Sequence, residues 1–173
     1  MNNFDPSRHA YVLVTSTTYG NWLPGDARSY VDKHNEYGTP YDTPSPMLER
    51  FARARMKEQA VFFNAEQAEI ILERWQNTVG DLGGQLVVVA IMRTHFHFVA
   101  IFPAGIKKEK LLQFFKGRAS RALNQQYGKR TWWTDSGSVR FSFDEAAFRA
   151  RIAYVKRHET ENPLALWVNP EFE

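Results

Sequence analysis

The chain has 173 residues, no cysteine, 43% hydrophobic and 14% aromatic residues, and a formal net charge of +3. That is enough apolar material for a core and too much for disorder, while the missing cysteine excludes disulfides, thiolate metal sites and cysteine nucleophiles. The charge is uneven: between Ala104 and His158 thirteen Lys or Arg stand against four Asp or Glu, a surplus of nine that leaves the remainder at −6. A basic second half points to a polyanion such as nucleic acid.

Tyr11 to Thr18 is rich in β-branched residues and reads as the first strand. The stretch 19–46 is a long loop rich in Gly, Pro and Asp, whose aromatics (Tyr19, Trp22, Tyr30, Tyr37, Tyr41) are placed to pack on the body. Met47 to Gln59 reads as a short basic helix, and together they form an insertion over about 19–65. Glu66 to Asp81 carries a helical stripe at Ile70, Ile71, Trp75 and Val79. Gly83-Gly84 ends it. Gln85 to Ile91 is a nearly continuous apolar run, suited to a buried strand. Met92-Arg93 makes a turn, and Thr94 to Phe102 is the next strand.

Side chains in a strand alternate faces, so His95 and His97 share one face and Phe96 takes the other. Lys107 to Tyr127 is the second main helix, with Leu112, Phe115, Ala119 and Ala122 as its buried stripe. Lys107, Lys110, Arg118 and Arg121 run down another face. After a polar loop holding Trp132 and Trp133, Ser138 to Phe141 reads as a short strand. Ser142-Phe143-Asp144-Glu145 has the Ser-x-x-Glu form of a capping box for a helix running to about His158. Phe148, Ile152 and Val155 face the core; Ala147, Arg151, Tyr154 and His158 form a separate stripe. Asn162-Pro163 ends the helical region.

The order is β, loop, α, β, β, α, β, α. It matches an α+β ferredoxin-like split βαβ fold, with an antiparallel sheet, the two main helices on one face, and a C-terminal helix that can cover the histidines. The chain is expected to form a single domain over 1–173. No apolar run approaches ~18 residues, which argues against a membrane span. The first residues lack the basic and apolar regions of a signal peptide, so a cytoplasmic protein is expected.

Three of the five histidines fall at His95, His97 and His158; His9 and His34 lie in polar surroundings and read as surface residues. Three imidazoles can hold one divalent ion with positions left open. Tyr154 and His158, four apart on a helix, lie side by side. A phenol is a poor base at neutral pH but serves as a nucleophile towards an activated phosphodiester. Its attack on a DNA backbone would give a covalent phosphotyrosine that keeps the bond energy for rejoining. No nucleotide would be consumed, and Gly128-Lys129 lacks the earlier Gly of a P-loop.

His95-Phe96-His97 matches the His-hydrophobic-His (HUH) signature, and Tyr154 with His158 resembles the nucleophile and metal-binding residue of single-tyrosine HUH transposases. Similar flanking patterns occur at Thr17 to Asp26, Trp132-Trp133, Gly137 to Arg140 and Tyr154 to His158. The resemblance covers about residues 10 to 160. It is closest to the REP-associated tyrosine transposases of the insertion-sequence 200-like superfamily. It implies single-stranded DNA cleavage at hairpin-flanked sites, a divalent metal that is usually Mg²⁺, and often a homodimer. Many members place Gln or Asn where this chain has His158. Three imidazoles tilt the preference towards Mn²⁺, Co²⁺ or Zn²⁺.

Expected DNA contacts are Lys107, Lys110, Arg118, Arg121, Arg140 and Arg151, with Arg151 one turn before Tyr154. Trp132 and Trp133 either stack on unpaired bases or divide between core and rim. For a dimer, Val87 to Val89 and Val99 to Phe102 are candidates for edge pairing across a two-fold axis. Two other classes stand beside this one. The first is a non-catalytic module that binds hairpin DNA or RNA. The second is a small-nucleotide phosphoesterase, which needs a pair of His-x-Thr or His-x-Ser motifs that the chain lacks.

Overall fold

The computed structural model describes residues 4–28 and 42–172. Tyr30, His34, Tyr37 and Tyr41 of the loop lie outside them. The elements are β1 (His9–Thr17), α1 (Pro46–Ala54), α2 (Ala65–Thr78), β2 (Gln85–Ile91), β3 (His95–Pro103), α3 (Lys108–Tyr127), β4 (Ser138–Ser142), α4 (Glu145–Lys156) and β5 (Ala165–Val168), with 3₁₀ turns at Val79–Leu82, Arg157–Glu161 and Pro170–Phe172. Among the described residues one antiparallel sheet runs β4-β1-β3-β2-β5. This is the expected α+β ferredoxin-like arrangement, extended by β5.

Alternation splits the sheet into two apolar faces. Val12, Val14, Val89, Ile91, Phe96, Phe98, Ala100 and Phe102 meet α2 and α3. Trp75 of α2 is the hub of that face: its ring meets Phe96, Phe98 and Phe115 edge-on, and its indole N–H donates to the Phe115 carbonyl at 2.9 Å. Tyr11, Leu13, Val88, Ala90, Val99 and Ile101 form the other face and are covered by Phe148 and Val155 of α4. The β2–β3 register shifts between Leu86 and Val88, so Val87 and Val88 both belong to the α4 side. Asn169 satisfies the backbone there, donating to the Leu86 and Val87 carbonyls.

Several expectations are corrected. The N-cap of α4 is Asp144, whose carboxylate accepts from the Ala147 amide at 2.7 Å; Ser142 is buried at the end of β4 and accepts from Arg151 instead. Both residues suit a cap, and pairing of Ser142 with Tyr11 keeps Ser142 in the sheet. The buried stripe of α3 includes Leu111 and Leu123, while Leu112 is only half-buried, because the helix is rotated to set Leu111 and Phe115 on the sheet. The basic helix stops at Ala54 and buries no residue. β5 was not foreseen. It pairs with β2, and with β1 on the far side of β3, both β2 and β3 are interior strands. Val87 to Val89 and Val99 to Phe102 therefore have no free edge, and the sequence motive for edge-paired dimerisation falls.

Replacing Asp144 by Ala is expected to lower the unfolding free energy by about 1 kcal/mol, the usual value of a lost cap. Urea denaturation of Asp144→Ala against the parent checks it. An undiminished midpoint would show that α4 is held by packing alone.

Candidate active site

β3 starts at His95 directly after a tight turn closed by the Met92 amide on the His95 carbonyl. His95 and His97 project from the α4 face, their ring centroids 5.0 Å apart. α4 crosses this face on Phe148 and Val155, and the 3₁₀ turn that continues it brings in His158, 4.5 Å from His97 and 6.4 Å from His95 between ring centroids. His97 and His158 are buried and His95 is half-buried. One ligand atom from each ring lies within 4.8 Å of the others. Roughly 3.4 Å is expected around a tetrahedral ion with ~2.05 Å bonds, so a modest inward closure suffices.

Each ring has its Nδ1 engaged, which leaves Nε2 as the nitrogen available to a metal. His158 Nδ1 lies 3.1 Å from the Tyr154 carbonyl, an acceptor, so it carries the proton. His97 Nδ1 is 2.8 Å from Thr15 Oγ1, its neighbour across the β1–β3 ladder. His95 Nδ1 is 3.1 Å from Thr94 Oγ1. Such outer partners fix the tautomer and aim of a metal-binding imidazole. The donor set, three imidazole nitrogens with two of the rings buried, fits a borderline divalent ion better than Mg²⁺. The Glu161 carboxylate stands 4.0 Å from His158 Nε2 at the rim.

Burial, reinforced by His95 and His158, pushes His97 down from 6.5 to about 3. Burial, then His158, then the nearby Arg28 guanidinium also hold His95 below its ordinary value, against an opposing pull from Glu161. Both rings are thus neutral at pH 7, the state that binds a metal.

Tyr154 stands beside this cluster with its ring 5.3 Å from His97 and 5.0 Å from His158. It is 36% exposed, so its phenol meets both the cluster and solvent. The Arg157 guanidinium lies over its ring at 5.6 Å.

The basic residues separate. Arg140 pairs in register with Leu13, which places it on the same sheet face as the histidines. Arg151 joins it, donating through Nη1 to the Arg140 carbonyl and to Ser142 Oγ, 2.7 Å each. Lys110, Arg118 and Arg121 of α3, and Lys107 at its N-cap, belong to the opposite layer. There Arg118 is paired with Asp81 at 2.8 Å and lies over Phe114, while the other three are exposed. Neither tryptophan is open to bases: Trp132 and Trp133 are 2% and 6% exposed, packed with Phe63 in the α2–α3 core, and their indole N–H groups donate to Asn124 and Ser120. The stacking role is withdrawn for both, and so is the division between core and rim. His9 is exposed as expected.

Thr15, Arg157 and Arg28 were not singled out from sequence. Thr15 is visible only through the β1–β3 register. Arg157 adjoins His158 but reads as one more surface cation.

No family model and no curated protein matches the chain. Two of the solved structures similar to it are these. One is a REP-associated tyrosine transposase bound to a REP hairpin, 7% identical, with a TM-score of 0.46, covering 88% of this chain and 68% of that one. The other is a candidate transposase of Deinococcus radiodurans R1, 13% identical, with a TM-score of 0.47, covering 91% and 94%.

Two outcomes are expected. Unfolded His97 titrates near 6.5 but the folded ring resists protonation to about 3, so the unfolded chain binds more protons between those values. Metal-free protein should lose stability as pH falls through that window and gain nothing from this group above it. Urea midpoints from pH 7.5 to 4.5 should fall less steeply in His97→Gln than in the parent. Secondly, Thr15→Val should weaken Mn²⁺ or Zn²⁺ binding by ~10–100-fold and Thr15→Ser should restore it. Calorimetric titration decides; equal affinities would mean Thr15 does not orient His97.

Proposed function

We propose that this chain cleaves and rejoins single-stranded DNA at hairpin-bearing sites through a covalent phosphotyrosine on Tyr154, in transposition or in processing of hairpin repeat DNA. The observation that carries the reading is the phenol ring set 5.3 Å and 5.0 Å from two rings of a three-imidazole cluster, on a helix packed across the sheet. A phenol beside surface histidines means little; a phenol at the mouth of a largely buried set of three converging imidazoles suits attack on a phosphodiester.

His95, His97 and His158 would hold a divalent ion, with Mn²⁺, Co²⁺ or Zn²⁺ favoured by the nitrogen donors. When bound, such an ion polarises a phosphoryl oxygen and offsets charge developing on it. Tyr154 Oη forms a bond to phosphorus as the phosphorus–oxygen bond to one strand end breaks. The phenol loses its proton and the departing oxygen gains one, leaving a free hydroxyl. In the reverse sense, a hydroxyl from a second strand end attacks the phosphotyrosine and releases Tyr154, so one phosphodiester replaces another. Arg157 lies over the phenol ring, where its charge is suited to meet the scissile phosphate. Arg140 and Arg151 border the same face and are suited to hold the flanking backbone.

Tyr154→Phe removes only the hydroxyl. Labelled hairpin oligonucleotide with Mn²⁺ should give a denaturation-resistant protein–DNA adduct with the parent and none with Tyr154→Phe, while both bind the DNA alike. An adduct that persists in Tyr154→Phe would overturn the assignment. A parent that binds but never forms an adduct would instead be the non-catalytic hairpin-binding module.

A further inference from the structure

After β1, residues 18–28 hold one guanidinium in a fixed pose on the side of the histidines. Arg28 donates from Nε and Nη2 to the two carboxylate oxygens of Asp26, at 2.8 and 2.6 Å, and from Nη2 to the Asn21 carbonyl. Its plane lies over the Trp22 indole, 5.2 Å from the ring centroid. The loop itself is anchored to the start of β3: Asn21 Nδ2 donates to Thr18 Oγ1, and the Thr18 amide donates to the Thr94 carbonyl, one residue before His95. At its tip Gly25 has φ +88°, and a side chain there would run into the Ser45 carbonyl and the Glu49 amide at the start of α1. Only glycine takes that turn without strain. The Arg28 charge is close enough to be felt at His95.

A surface arginine paired only to hold a loop needs none of this bracing. Here the carboxylate fork takes one edge of the guanidinium, and Nη1 has no partner among the described residues. The side chain remains half in solvent, 58% exposed. A guanidinium fixed in advance loses little freedom on gripping a phosphate, and its planar donors match phosphate oxygens. We propose that Arg28 binds a backbone phosphate of the DNA strand next to the cleaved bond, with Asp26 and Trp22 as its supports.

The assignment rests on the strand-cleavage reading and deepens it. The test uses Tyr154→Phe protein, which holds DNA uncut, and a hairpin oligonucleotide in which single phosphates near the cleavage point are replaced in turn by neutral methylphosphonates. Binding is read by fluorescence anisotropy. One replacement should weaken binding about tenfold, the scale of a charge-assisted hydrogen bond. The added substitution Arg28→Gln should weaken the unmodified oligonucleotide by the same factor and make that replacement harmless. Its salt slope should flatten by about 0.7, the value for one phosphate on a single strand, and Arg28→Lys should restore the slope but only part of the affinity. Mn²⁺ affinity should not fall in Arg28→Gln, since the lost charge repels a cation at His95, and this separates DNA contact from damage to the histidine cluster. Unchanged DNA affinity and slope in Arg28→Gln would overturn the assignment, and so would a full penalty at every methylphosphonate position. A Tyr154→Phe protein that binds no hairpin DNA would overturn the strand-cleavage reading and this assignment together.

Discussion

Burial of α4 against the sheet decides whether a site exists at all. His95 and His97 belong to β3, but Tyr154 and His158 reach them only because Phe148 and Val155 sit on Tyr11, Leu13, Val88, Ala90, Val99 and Ile101. Each such side chain contributes roughly 1.5–3 kcal/mol on leaving water. Where the histidines stand the same sheet face turns polar, and the helix end that covers it supplies the third imidazole and the phenol. One packing contact thus fixes both the stability of the layer and the geometry of the chemistry.

The electrostatics follow from that burial. Burial beside other imidazoles makes His95 and His97 resist protonation, which keeps these two rings open to a cation. Around it stand Arg28, Arg140, Arg151 and Arg157, with Glu161 as a nearby anion. The basic surplus of the second half is therefore divided. Part rims the site, and part lies on α3 behind the sheet, where Arg118 is taken up by Asp81. A charge count along the sequence cannot separate these two populations, because the sheet stands between them.

What was legible followed from short-range periodicity. A period of two put His95 and His97 on one face, and a period near four put Tyr154 beside His158. The order of strands and helices gave the split βαβ arrangement. What was not legible depended on partners distant in sequence. Trp132 and Trp133 sit in a stretch that reads as a polar loop, yet Phe63 and the α3 residues Asn124 and Ser120 draw both into the core. Ser142 fits a capping pattern as well as Asp144 does, and only the ladder with Tyr11 decides between them. β5 is four residues with no period to display, and its pairing alone makes β2 an interior strand. Thr15 and Arg28 act at β3 from the first strand and its following loop.

The position of α4 in the chain has a further consequence. It enters from β4 at one edge of the sheet and leaves through β5 at the other, so it spans the sheet like a strap buckled at both ends. His158 also holds the Tyr154 carbonyl, so phenol and imidazole travel as one piece. Lending the tyrosine to a neighbouring copy would unbuckle both edges and carry His158 away from His95 and His97. In this chain the strap therefore sets phenol and third imidazole down together on the histidines of β3.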